Sequence, residues 1–141
     1  YTLLLRREYP SWLYPVTKGA TTIWEHWDGI MEDGGFWSAD MNSFNHYAYG
    51  SVADWIYEEA AGIRPLEPGF ARVQVAPKPD RRLGWLEASI ETRNGAVRSR
   101  WEYRENQVRY EIEAEMPATV VIDGIEHQVP AGNYIFWGKE K

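Results

Sequence analysis

Two periodicities divide the chain. Beyond residue 80, apolar and polar positions alternate in short runs, the period of strands with one buried face. The strongest example surrounds Glu105-Asn106. Val97, Trp101 and Tyr103 alternate with Arg98, Arg100, Glu102 and Arg104, and then Val108, Tyr110, Ile112 and Ala114 alternate with Arg109, Glu111, Glu113 and Glu115. One face is apolar, and the other carries opposite charges placed to pair across strands. The pattern predicts strands at 72–76, 85–92, 96–104, 107–115, 119–122 and 134–137, with a second hairpin signal at Asp123-Gly124. Strands this short and this closely spaced predict an antiparallel β-sandwich.

Before residue 64 the pattern is helical or irregular. Residues 2–8 read as the end of a helix, stopped by Tyr9-Pro10. A stretch rich in proline, glycine and aromatics follows, and then the β-branched 21–24, expected to be extended. Turn signals stand at Asp28-Gly29 and Asp33-Gly34-Gly35. Asn42 or Ser43 is a suitable N-cap for a helix over 44–61, whose apolar positions include Phe44, Ala48, Val52, Trp55, Ile56 and Ala60. Gly62 is its expected C′ residue, and Pro65 prevents it from resuming. Residues 64–80 hold four prolines, and the change of period there sets the expected boundary between a first part, 1–63, and a second, 64–141.

Charge sharpens this division. The formal net charge is −6; residues 1–63 carry three Lys/Arg against nine Asp/Glu, and the remainder carries twelve of each. Thirteen of the 21 aromatic residues also lie in the first part. Acidity without basic clusters argues against a nucleic-acid partner. No apolar run approaches the ~20 residues of a membrane span, so no membrane partner is expected. Without cysteine there is neither a disulfide nor a thiolate metal site. Carboxylates among tryptophans suit a neutral polyhydroxylated ligand, because acids accept hydroxyl hydrogen bonds and indole faces cover a sugar ring. An acidic surface over an aromatic core explains the same composition. The chain starts at Tyr1 without an initiator Met or leader, and it reads as a fragment whose compartment is not encoded here.

Three features are candidates for chemistry. Glu25 stands between Trp24 and Trp27, with Asp28 nearby; desolvation and like charge both favour its taking up a proton. The alternative is a surface glutamate whose neighbouring indoles face the core. His46, in the first turn of a helix capped by Ser43, would be kept neutral by the helix dipole and free to bond a hydroxyl; the alternative is a packed histidine bonded to backbone. Among Trp12, Trp24, Trp27, Trp37 and Trp55, the last belongs to the helical stripe, whereas Trp24, Trp27 and Trp37 lie in irregular segments where a ring can serve as a sugar platform. Glu25, His26 and His46 lack metal-ligand spacing, and neither a metal nor another cofactor is expected.

The runs Tyr9-Pro-Ser-Trp-Leu-Tyr14, Lys18-Gly-Ala-Thr-Thr-Ile-Trp-Glu-His-Trp-Asp-Gly29 and Met41-Asn-Ser-Phe-Asn-His-Tyr-Ala-Tyr-Gly50, with Ala60-Ala-Gly-Ile63 after them, resemble bacterial α-L-rhamnosidases (glycoside hydrolase family 78). The resemblance implies an α+β, multi-domain chain: the C-terminal part of an (α/α)6-barrel catalytic domain, then a β-sandwich. It implies hydrolysis of terminal α-L-rhamnose with inversion, Glu25 as general base and His46 as a sugar contact; Trp24 and Trp27, on either side of Glu25, remain candidate substrate contacts from their own reading. It also places the general acid in an earlier stretch of barrel that this chain does not contain. The isolated chain is therefore expected to be inactive. Its expected partners are a rhamnose-containing glycoside and the missing upstream barrel; the uncovered stripe of 44–60 is expected either to pack on the sandwich or to associate with another copy of the chain. A non-catalytic sandwich with a structural or carbohydrate-binding role is the alternative.

Overall fold

A computed structural model describes residues 1–140. They form two compact units, Tyr1–Ala53 and the remainder from Asp54.

The first unit holds little regular structure. Within 2–8 only residues 2–5 form a turn, closed by the Leu5 N–H donating to the Tyr1 carbonyl at 2.9 Å. So short a segment does not sustain a helix by itself. A helix absent from the sequence prediction, α1 (Leu13–Thr17), begins where the Ser11 hydroxyl accepts the Tyr14 N–H at 3.0 Å. Pro15 is tolerated there because N–H groups of a first turn have no intrahelical acceptor. The turn at Asp33-Gly34-Gly35 forms as read: the Asp33 carboxylate accepts the Gly35 N–H at 2.9 Å, and Ile30 pairs with Phe36 across it.

The helix expected over 44–61 starts later. A 3₁₀ turn, Ala48–Ser51, leads into α2 (Val52–Trp55), and a π-turn, Ile56–Ala60, follows. Residues 43–46 are not helical because their backbone groups bond elsewhere: Glu25 donates to the Ser43 carbonyl and His46 donates to the Ile23 carbonyl. In the π-turn the Ala61 N–H reaches the Ile56 carbonyl at 2.8 Å, and Gly62 follows at φ 76°, as the C′ position requires.

The second unit contains two four-stranded sheets. One has the order β1 (Ile63–Pro65), β2 (Val73–Val75), β6 (Ala118–Ile122), β7 (Ile125–Val129); the other has the order β3 (Trp85–Thr92), β4 (Gly95–Arg104), β5 (Gln107–Ala114), β8 (Gly132–Lys139). The expected sandwich is present, with two additions and one correction. Strands β1 and β7 were not predicted, and β2 pairs with β6 in parallel, Val73 opposite Ala118, so the sandwich is not wholly antiparallel. The three strands between them belong to the other sheet, and this long crossover returns the chain in the same direction. Val73, Val75, Val97, Trp101, Ile112 and Val120 are fully buried between the sheets.

Ser99 is also fully buried. Its hydroxyl donates to the Ala61 carbonyl at 2.7 Å, and the Trp101 indole N–H donates to the Ala60 carbonyl at 2.8 Å. Both carbonyls end the π-turn and lie in fully buried residues, where an unpaired acceptor costs about 1–3 kcal/mol. Two side chains of β4 thus fasten the helical segment to the sheet.

The outer face of β3-β4-β5 carries the predicted charge pairing. Arg98 bonds Glu87 at 2.9 Å and Glu113 at 2.5 Å, while Arg100 bonds Glu102 at 2.8 Å and Glu87 at 3.4 Å. The Arg100 guanidinium holds the Glu102 carboxyl below the usual carboxylate range, and Arg98 does the same for Glu87. A carboxyl whose pKa is lower folded than unfolded stabilises the fold above its unfolded value, and that contribution disappears as pH falls through the folded value. The unfolding midpoint in urea should therefore drop between neutral pH and about pH 3, and the drop should shrink in Glu102→Gln. An equal drop in both proteins would remove Glu102 from the explanation. Near 1 M salt the difference should narrow, because these pairs face solvent.

Candidate functional site

Glu25 and His46 are brought together by backbone bonds. The Glu25 N–H donates to the Ser43 carbonyl at 2.9 Å, and the His46 N–H donates to the Ile23 carbonyl at 2.8 Å. The Thr22 hydroxyl donates to the Phe44 carbonyl between them. Three bonds thus clip 22–25 against 43–46, joining segments some twenty positions apart in sequence. Trp24 reinforces the clip by packing edge-on against Phe44 at 5.1 Å. Gly29 is buried beneath both rings: a Cβ there would lie 3.0 Å from Phe44 and 3.2 Å from Trp24.

Each candidate has a definite environment. Glu25 is half-buried, and no hydrogen bond or ion pair engages its carboxylate among the described residues. His46 precedes the helical run instead of lying in its first turn, which corrects the dipole argument. Its Nδ1 accepts the Ala48 N–H at 3.3 Å, so the neutral ring carries its hydrogen on Nε2 and can donate from there. The ring also stacks on Tyr47 at 5.3 Å between centroids.

The tryptophans divide by exposure. Trp24 is only 5% exposed, which corrects its expected availability as an open platform: its ring is needed against Phe44. Trp27 is half-buried, stacked on Tyr49 at 4.5 Å and edge-on to Trp12 at 5.4 Å. Its indole N–H is enclosed without an acceptor among the described residues. Trp37 is exposed, as expected, and stacks on His26 at 3.8 Å. Trp12 donates to the Tyr49 carbonyl at 2.9 Å. The sequence reading missed Thr22 and Tyr49; a hydroxyl bonded to a distant carbonyl and a ring stacked on a distant indole leave no local pattern. No grouping of three or more His, Asp or Glu able to hold a metal occurs among the described residues.

The arrangement offers a carboxylate able to accept a proton, an imidazole able to donate a hydrogen bond and several aromatic faces. Residues 1–60 match the family described as the bacterial alpha-L-rhamnosidase 6 hairpin glycosidase domain, and 62–131 match the bacterial alpha-L-rhamnosidase C-terminal domain. An α-L-rhamnosidase of Streptomyces avermitilis is 48% identical over 104 residues, 74% of this chain and 10% of that protein. One from Formosa agariphila is 40% identical over 123 residues, 87% of this chain and 13% of that protein. The crystal structure of the Streptomyces avermitilis enzyme complexed with L-rhamnose superposes with a TM-score of 0.90 at 36% identity, covering 97% of this chain and 16% of that one. The chain thus spans a small part of the relatives it matches.

Proposed function

The chain belongs to the bacterial α-L-rhamnosidase family, and from that premise we propose that it supplies the general base, but not the general acid, of an inverting glycoside hydrolase. The substrate is a rhamnoside carrying a terminal α-linked L-rhamnose. Glu25 takes a proton from water as the water attacks the anomeric carbon on the face opposite the leaving oxygen. An acid outside this chain protonates that oxygen, and the two carboxyls stand ~6.5–9.5 Å apart to admit the water. His46 donates from Nε2 to a sugar hydroxyl. Trp27 gives the sugar an aromatic neighbour, and Trp24 acts from behind by fixing the Glu25 backbone.

The observation that carries this proposal is the clip, which holds an unengaged, half-buried carboxylate on the segment paired with that of His46. A base needs free lone pairs and a positioned backbone to carry it; the carboxylate is unengaged, and the clip fixes the backbone of its segment. The bound L-rhamnose of the Streptomyces avermitilis structure supports the choice of sugar. In this reading residues 1–63 close an (α/α)6 barrel and 64–141 form the sandwich domain. A structural role is proposed for the sandwich, favoured by the bonds from Ser99 and Trp101 to the end of the π-turn.

Turnover of an aryl α-L-rhamnoside tests the division of labour. The isolated 141-residue chain should show none, whereas the longer polypeptide containing it should release β-L-rhamnose first, as seen by proton NMR before mutarotation. Release of the α anomer would sink the inverting mechanism, and turnover by the isolated chain would sink the missing acid. Light scattering on the same isolated chain should show species heavier than a monomer, through Val52, Trp55 and Ile56 of the 44–60 stripe, which are only partly covered, whereas Ala60 is packed on the sandwich; a monomer alone would dismiss self-association.

A further inference from the structure

The second unit contains a cavity of about 320 Å³ at one end of its sheets, bounded by the end of β4, the start of β5, the β6–β7 turn, the end of β8 and the prolines after β2. Its apolar lining includes Tyr103, Tyr110 and Pro79, and its polar lining consists of Asp123, Lys78 and Lys139. We propose that this cavity binds one neutral monosaccharide ring, with an apolar sugar face against the half-buried Tyr103, over a floor that includes the buried Tyr110, and with hydroxyls toward Asp123 and Lys139, while Lys78 stays paired with Glu59 at the rim. The site is separate from Glu25 and does not depend on the proposed catalytic role.

Its composition is what a sugar requires. Cavities that bind small ligands start at ~300 Å³ and are lined by aromatic rings with a few placed polar groups, so this one suits a single ring. The Tyr103 ring is held by the Arg81 guanidinium, 5.4 Å from its centroid. Tyr110 is buried, and burial, followed by the charge of Asp123, keeps its hydroxyl protonated. Gly138 permits this assembly: a Cβ there would lie 2.9 Å from the Asp123 carboxylate, 3.0 Å from the Tyr110 ring and 3.2 Å from Ile122. The Asp123 carboxylate is itself fixed by accepting the Lys139 N–H at 2.7 Å. A larger hollow over the charged face of β3-β4-β5-β8, around Arg98, Glu113 and Asn133, has no aromatic wall and does not share this chemistry.

The test is a ¹H–¹⁵N NMR titration of the whole 141-residue chain with free L-rhamnose, D-glucose and D-galactose, with sodium acetate as an anion control. At least one sugar should give saturable, millimolar shifts clustered on Tyr103, Tyr110, Asp123 and Gly138. Asp123→Asn retains the residue type that the left-handed turn accepts, and should weaken binding about fivefold to tenfold, because a hydroxyl bonds a carboxylate more strongly than an amide. Tyr103→Ala should abolish the saturation. No saturable shift with any sugar, equal binding by both variants, or the same shifts with acetate would each overturn the proposal. Shifts confined to Trp24, Trp27 and His46 would also overturn it, while favouring the catalytic-site reading.

Discussion

Glu25→Gln in the longer polypeptide is expected to lower kcat about 10²–10⁴-fold, the usual contribution of a positioned general base, with KM nearly unchanged. That loss corresponds to roughly 3–5 kcal/mol of transition-state stabilisation. Glutamine keeps the shape and the backbone N–H that bonds Ser43, so the clip persists while the proposed proton acceptor is lost. His46→Ala should behave differently: in its proposed role as a sugar contact made in both ground and transition states, its loss raises KM more than it lowers kcat. Asp28→Asn is the control, since Asp28 is the other carboxylate of the same run. If Asp28→Asn abolished turnover while Glu25→Gln retained a tenth or more of kcat, the base would be misassigned. Steady-state kinetics on an aryl α-L-rhamnoside separate these outcomes, and thermal melts confirm that each variant is folded.

The largest structural effect should come from Gly62→Ala, which is expected to prevent the sandwich unit from folding stably. Gly62 has φ 76°, a conformation that costs an L-residue roughly 1–2 kcal/mol. Sterics add far more: a Cβ would stand 2.1 Å from the Ala76 carbonyl carbon, 2.3 Å from the Pro77 nitrogen and 2.4 Å from the Ala76 oxygen. All three are backbone atoms, so no side chain can rotate away. Relief would require moving β1 away from β2, which would break the bond from the Ala76 N–H to the Gly62 carbonyl at 2.9 Å. It would also disturb the buried Ile63, paired with Val75. A loss beyond ~4 kcal/mol is exceptional for one methyl group, and this site has the mechanism for it. Urea unfolding would show it; a midpoint within the range of ordinary surface variants would mean that this close approach is easily relaxed. Gly124→Ala, where a Cβ meets nothing within 4 Å despite φ 81°, isolates the backbone contribution and should be much milder.

Gly62 also shows how far the sequence could be read. Its position after a helical run and before Pro65 identified it as a helix terminator, because that requirement is local. The approach of residues 76–77 is not local, and nothing near Gly62 in the sequence announces it. The same distinction holds in the sheets. Alternation placed β3, β4 and β5 within one residue, because Val97, Trp101, Val108, Tyr110 and Ile112 each record which side of the strand is dry. It missed β7, an edge strand with Glu126 and Gln128 exposed, whose burial contrast is too weak to set a period. It missed β1, which has three residues among prolines that break any pattern.

For the candidate site, residue order along the chain identified Glu25 and His46 through resemblance to a family, whereas periodicity put His46 inside a helix. The helix lost its first turn because the carbonyls of Ser43 and Phe44 and the N–H of His46 bond 22–25, a competition invisible to any window of neighbouring residues. Trp24 was read as a possible platform for the same reason, since exposure depends on what folds over it, here Phe44. The sequence by itself determined the family, the strand-rich second part, the hairpins and the charge pairing, because each follows from residue identity or from neighbours on one strand. Only the tertiary structure decided the parallel pairing of β2 with β6, the bonds from Ser99 and Trp101 to the π-turn, and the clip that brings Glu25 to His46. Each of these joins residues far apart in the chain, and their free energy appears only when both partners have left water together.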